Sequence, residues 1–151
     1  MKQASLSTPF GDLTLTEEDG AITALGWGQA ARQDRSDLLD AALRQLKEYA
    51  TGERQSFDLP LRVMGSDFQR AVCTAILAIP FGHTRTYGEI ARDLGVPAQA
   101  VGGACGGNPI PVIIPCHRVM GVKGLTGFSG AGGVETKVAL LRHEGAAGLL
   151  I

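Results

Sequence analysis

The chain has 151 residues, of which 44% are hydrophobic and 19% charged. That balance suits one or two small packed domains and excludes a disordered chain. No apolar run approaches the ~20 residues of a membrane span, and a net charge of −1 excludes a strongly basic nucleic-acid binder.

Taken in chain order, Leu13-Thr14-Leu15-Thr16 alternates as a half-buried strand does, Asp19-Gly20 is a hairpin turn signal, and Ala21 to Trp27 reads as the returning strand. A polar loop fills 29–35. Asp37 is placed to cap a helix whose apolar stripe is Leu39, Ala42, Leu43, Leu46 and Ala50, and Gly52 ends it. Residues 53–65, with Pro60 inside, read as a linker. Ser66-Asp67-Phe68-Gln69 matches a capping box, and Phe68, Val72, Ile76 and Ile79 share the face of the helix that follows, which Pro80 closes. Cys73 lies within that helix and reads as a small buried hydrophobe.

Phe81-Gly82-His83 is a turn. Thr86-Tyr87-Gly88-Glu89 is a second capping box, leading into Ile90, Ala91 and Leu94. Gly95 breaks that helix, and Pro97 opens another that runs to about Cys105, so the pair reads as helix-turn-helix. The stretch 106–115 is loop-like around a brief buried Ile113-Ile114 run, and a Gly-rich loop spans Gly121 to Gly133. A last helix over about 134–144 packs through Val138 and Leu141 and stops at Gly145. The domains expected are an N-terminal α+β unit over 1–63 and a mainly helical one over 64–151. Residues 1–63 hold 7 Lys+Arg and 10 Asp+Glu, a net of −3, and residues 64–151 hold 7 and 5, a net of +2. A nucleic-acid-facing surface therefore belongs to the second unit, with a modest electrostatic grip.

The three cysteines, Cys73, Cys105 and Cys116, make neither a disulfide framework nor a Cys-x-x-Cys metal pair. A reducing compartment is expected. With no apolar leader after Met1, the expected setting is the cytoplasm, without membrane association.

The chemistry concentrates in Asn108-Pro109-Ile110-Pro111-Val112-Ile113-Ile114-Pro115-Cys116-His117-Arg118-Val119. A thiol attacks only as thiolate, and a free value near ~8.5 leaves little of that form at neutral pH. The adjacent His117 is a natural proton acceptor, and an acid such as Glu144 is of the right type to orient that imidazole. An isolated Cys-His pair is common by chance. Three prolines locking an extended backbone are a costly way to present an ordinary buried thiol.

Pro115-Cys116-His117-Arg118-Val119, preceded by Asn108-Pro109, resembles the active-site motif of the O6-alkylguanine-DNA alkyltransferases. Phe68-Gln69, Pro80-Phe81-Gly82, Thr86-Tyr87, Ala100-Val101-Gly102-Gly103, Lys137 with Leu140-Leu141, and His143-Glu144-Gly145 extend the likeness over about residues 64–146. The resemblance implies an α+β protein: a ribonuclease H-like antiparallel-sheet and helix unit, then a winged helix-turn-helix-like DNA-binding domain. It implies a single-turnover methylated-DNA–protein-cysteine S-methyltransferase, a monomer needing no cofactor. Its partner would be double-stranded DNA containing O6-alkylguanine, with O4-alkylthymine a further possible substrate.

On that resemblance Cys116 is the nucleophile and final alkyl acceptor. His117 deprotonates it through a water, and Glu144 holds His117. Tyr87 sits by the guanine and helps protonate the leaving base. Asn108 stiffens the active-site turn through backbone bonds. Arg118 is structural, tying the motif to the N-terminal unit or a helix end, and Ser129 helps hold the base. Helix 97–105 lies in the minor groove, where Gln99, Ala100, Gly102 and Gly103 face DNA. The small residues suit close approach to a groove; alternatively, the glycines let two helices pack. Family members usually carry arginine where Gln99 stands and often a basic residue where Gly106-Gly107 stands, so weak, salt-limited DNA binding is expected. With no Cys or His in residues 1–65, a structural zinc there is not expected.

Three rival readings use other chemistry. A non-catalytic alkylated-DNA binder on the same scaffold replaces the cysteine. A helix-turn-helix regulator needs several base-reading side chains on helix 97–105, where only Gln99 qualifies. A cysteine hydrolase turns over repeatedly.

Overall fold

A computed structural model describes residues 1–121 and 134–146. The chain divides into two compact units, Met1–Met64 and Gly65–Ile151.

The first unit is a three-stranded antiparallel sheet, β1 (Lys2–Thr8), β2 (Gly11–Glu18) and β3 (Ala21–Trp27), in that order, with helix α1 (Asp37–Ala50) against β1 and β2. The β2–β3 turn bears out the hairpin signal: Asp19 and Gly20 both take positive φ, 48° and 77°, the backbone that two-residue hairpin loops require. A bulge between Thr16 and Glu17 shifts the β2–β3 register. Strand β1 escapes the sequence pattern because only Ala4 of its residues is buried.

Three other expectations in this unit need correction. The N-cap of α1 is Ser36, whose hydroxyl accepts the Leu39 N–H at 2.9 Å, while Asp37 is the first helical residue. The buried face of α1 includes Gln45 and Tyr49, and Leu43 and Ala50 are only half-buried. Gln45 explains itself by what it binds. It donates to Asp58 O at 3.0 Å and accepts the Asp58 N–H at 2.9 Å. Residues 57–62 are thus no free linker. Ile22 N–H donates to Pro60 O, Arg62 N–H donates to Ile22 O, and Phe57 packs on the Tyr49 ring at 5.5 Å. The segment extends the sheet beside β3.

The second unit contains α2 (Asp67–Leu77), β4 (Arg85–Thr86), α3 (Tyr87–Leu94), α4 (Ala98–Gly106), a 3-10 turn at Cys116–Arg118, β5 (Val119–Met120) and α5 (Val134–Glu144). Strands β4 and β5 pair in parallel. Helices α3 and α4 pack on each other, and α2 packs on both. The Thr86–Glu89 capping box is complete, with both reciprocal bonds made. The Ser66–Gln69 box is half made. Ser66 caps the Gln69 N–H, but the Gln69 amide turns away, donating to Ala104 O at 2.8 Å in α4 and toward Cys73 Sγ at 3.6 Å. Cys73 itself is buried in the core with Val72 and Ile76.

Gly95 ends α3 in the left-handed conformation at φ 69°. In α4 the buried side is Val101, Ala104 and Cys105, and Gln99 and Gly103 are exposed. Packing among the described residues does not require the α4 glycines, because a Cβ built on Gly102, Gly103 or Gly106 meets none of them within 4 Å. Helix α5 turns Thr136, Lys137, Leu140, Leu141 and Glu144 inward, and Val138 is half-buried. No helix among the described residues is long and apolar enough to cross a membrane.

Candidate active site

The motif loop is shaped from its own sequence. Asn108 spans it, its Oδ1 accepting the Ile110 N–H at 3.0 Å and its Nδ2 donating to Ile114 O at 2.8 Å. Ile114 N–H donates to Ile110 O at 2.9 Å, closing one turn around Val112. Val112 is buried at φ 72°, a backbone conformation that a β-branched residue adopts only when its surroundings impose it. Pro115 follows at φ −81° and ψ 65°, and the Cys116 N–H donates back to Ile114 O at 2.8 Å. This is an inverse γ-turn. One carbonyl, Ile114 O, therefore ties Asn108 to the backbone of Cys116.

Cys116 opens the 3-10 turn and is 7% exposed. Burial pushes its thiol up, while the hydrogen bond from Asn108 and the nearby Lys137 cation draw it down. His117 is fully buried, and its Nε2 lies 2.7 Å from Glu144 Oε2. Burial holds the imidazole below its ordinary value, with Arg118 and Lys137 adding to that and Glu144 opposing it. A neutral imidazole beside a carboxylate puts its proton on Nε2. That leaves Nδ1 as the acceptor, and Nδ1 is a buried side-chain atom without a hydrogen-bond partner among the described residues.

Glu144 is the last residue of α5 and serves two neighbours. Arg118 Nε donates to Oε1 at 2.8 Å and Arg118 Nη2 to Oε2 at 2.9 Å, a bidentate pair that shares Oε2 with His117. Arg118 Nη1 donates to Ile79 O at 2.7 Å, just beyond the end of α2. Arg118 thus reaches a helix end and the acid that holds His117.

Tyr87 begins α3 and is half-buried, with Lys137 Nζ 5.9 Å from its ring centroid. Lys137 is fully buried and donates to Val119 O at 2.6 Å. Burial lowers its ammonium, and Cys116 and Cys105 work against that. The motif-centred reading gave Lys137 no role. Its signal is periodic: Lys137, Leu141 and Glu144 stand one helical turn apart, so a lysine sits within the inward stripe of α5. The structure thus gathers Cys116, His117, Glu144, Arg118, Asn108, Tyr87 and Lys137 in one unit. Gln99, Ala100, Gly102 and Gly103 lie along α4. Ser129 lies outside the described residues. Among the described residues no group of three or more His, Cys, Asp or Glu side chains is placed to hold a metal ion.

Comparison with known proteins shows the family. The model of the 6-O-methylguanine DNA methyltransferase DNA binding domain matches residues 67–146, and that of the ribonuclease-like domain of the same enzyme matches residues 1–63. The chain belongs to the 6-O-methylguanine DNA methyltransferase family. Relatives of this family member include the methylated-DNA–protein-cysteine methyltransferase of Methanosarcina barkeri, 51% identical over 150 residues, covering 92% of this chain and 94% of the relative. That of Mycobacterium tuberculosis is 43% identical over 150 residues, covering 93% of this chain and 90% of the relative. Among solved structures, Mycobacterium tuberculosis OGT in complex with DNA matches this methyltransferase-family chain with TM-score 0.86 at 41% identity, over 96% of this chain and 93% of the other.

Proposed function

We propose that the protein repairs DNA by direct reversal, moving the alkyl group of O6-alkylguanine in duplex DNA onto Cys116 once per chain. The observation that carries this reading is the buried His117, whose Nε2 is engaged by Glu144 and whose Nδ1 is left as an acceptor one residue from a free cysteine. Family membership and the DNA complex of Mycobacterium tuberculosis OGT support it.

The steps follow from the groups present. The damaged nucleotide is flipped out of the stack, because the target oxygen is inside the duplex. The thiol proton passes through a water to His117 Nδ1, and Glu144 stabilises the imidazolium that forms. The Asn108 hydrogen bond and the Lys137 charge favour the thiolate against its burial. Sulfur attacks the alkyl carbon, an S–C bond forms, and the C–O6 bond breaks with its electron pair going to guanine. Tyr87 helps protonate the leaving base. A thioether has no easy exit, so the chain is consumed. Residues 64–151 carry this chemistry and the DNA contacts, with α4 in the minor groove presenting Gln99, Ala100, Gly102 and Gly103. Ser129 helps hold the base, and residues 1–63 form the second domain. The protein acts as a cytoplasmic monomer and needs no cofactor. A helix-turn-helix regulator fits less well, since α4 exposes Gln99 as its one base-reading side chain.

Intact-mass measurement after incubation with duplex containing O6-methylguanine tests the proposal. A gain of one methylene, mapped to Cys116 and lost in Cys116→Ser, is the expected result. An unmodified chain, or repeated release of product, would sink it.

A further inference from the structure

One turn outside the motif touches the surroundings of Glu144 at several points. The His83 N–H donates to Pro80 O at 3.1 Å, and Gly82 takes φ 82°, closing a tight turn after α2. At the start of this turn the Ile79 carbonyl accepts Arg118 Nη1 at 2.7 Å. The Phe81 ring centroid lies 5.8 Å from the Arg118 guanidinium carbon, and the same ring meets the His143 ring edge-on at 6.5 Å. Gly82 approaches the end of α5 so closely that a Cβ on it would stand 3.4 Å from the Glu144 backbone oxygen. Each contact bears on the last two residues of α5 or on the guanidinium that grips the Glu144 carboxylate.

We infer that the Ile79–Gly82 turn is a positioning element for alkyl transfer: through Phe81 on Arg118 and Gly82 on the end of α5, it fixes Glu144 Oε2 where it meets His117 Nε2. The inference rests on the transfer reaction proposed above. Its physical content is geometric. The Arg118–Glu144 pair makes two bonds, so a small shift of either partner moves the oxygen that His117 also uses. With that oxygen displaced, the Nε2 proton loses its acceptor, and Nδ1 becomes a weaker base for the Cys116 proton. The thiolate then forms at higher pH. Among the described residues, other charged and titratable groups also bear on the site, and His143, next to Glu144 on α5, meets the Phe81 ring itself. Lys137 of α5 acts on both His117 and Cys116, Cys73 of α2 acts on Cys116, and Cys105 of α4 is coupled to Cys116.

The test is the single-turnover rate of methyl transfer from O6-methylguanine duplex to the full chain, measured from about pH 6.5 to about pH 9.5, for Gly82→Ala and Phe81→Leu. Gly82→Ala forces a Cβ into the left-handed region and against Glu144, and Phe81→Leu keeps an apolar side chain but removes the ring face. The expected result is a deficit of about tenfold for Gly82→Ala near neutral pH, smaller for Phe81→Leu, shrinking to roughly twofold or less at the alkaline end, with unchanged duplex affinity. A deficit that is the same at every pH, or no deficit, overturns the inference. If circular dichroism shows that Gly82→Ala does not fold, Phe81→Leu decides by the same criterion. An unmodified parent chain would overturn the transfer reaction and this inference with it. A modified parent with a pH-independent deficit in the variants overturns the positioning role alone.

Discussion

Glu144 gives both carboxylate oxygens to Arg118 and one of them also to His117, and all three side chains are buried. Glu144→Gln keeps the volume but leaves the Arg118 charge buried without a counter-ion, a loss of about 3–5 kcal/mol. Urea unfolding should show that loss; a change below about 1 kcal/mol would mean that the pair behaves like an exposed one. The same buried groups set a pH window. Burial keeps His117 below its ordinary value, so below about pH 6.5 the unfolded chain takes up a proton that the native chain refuses. Stability is full above that pH and falls as the solution is acidified toward the folded value. At the other end, burial pushes the Cys105 thiol up to about 12, with Cys116 adding to it. Above about pH 8.5 the unfolded thiol ionises and the native one does not, so stability falls as pH rises. Lys137, held low by burial, offsets part of that fall up to about pH 10.4. In reducing buffer, Cys105→Ala should lessen the alkaline decline, to which the raised thiols of Cys73 and Cys116 also contribute, and leave the acidic one alone. An unchanged alkaline decline would show that Cys105 does not contribute to it.

At the scale of elements, local rules were legible where the chain obeys them within a few residues. Asp19-Gly20, the Thr86–Glu89 box and the Gly95 stop are all present in the structure. What escaped notice depended on distant partners. Gln69 leaves its own capping box to bond Ala104 in α4, and Gln45 is buried because Asp58 satisfies its amide. Strand β1 has almost no apolar pattern, since a single side of it meets the core through Ala4. The glycines of α4 pose the sharper question. Each costs a helix about 0.5–1 kcal/mol relative to alanine, and no neighbour among the described residues requires them. Gly103→Ala should therefore stabilise the fold, raising the melting temperature by roughly 2–4 °C. If α4 enters a groove, the same methyl group should weaken duplex binding several-fold in a fluorescence anisotropy titration. Equal affinity would remove α4 from the DNA interface.

For the whole molecule, charge decides how DNA is held. A net charge of −1 offers little long-range attraction, and Gln99, proposed above to face DNA, carries no charge to add to it. Gln99→Arg should tighten duplex binding by about tenfold and steepen the salt dependence by about one counter-ion. If the repair rate on duplex DNA does not change, Gln99 has no part in holding the opened helix. The motif around Cys116 was legible in the sequence because its residues are contiguous. The α5 contribution was legible only in part, since Glu144 follows from residue type and Lys137 requires knowing which way the helix faces. The 7% exposure of Cys116 has a consequence beyond rate. The walls that shield the sulfur would also enclose whatever it captures, and a thioether offers water no good leaving group, so the new bond persists. A cell's repair capacity would then be an inventory: the number of lesions cleared before fresh synthesis equals the number of unspent copies on hand.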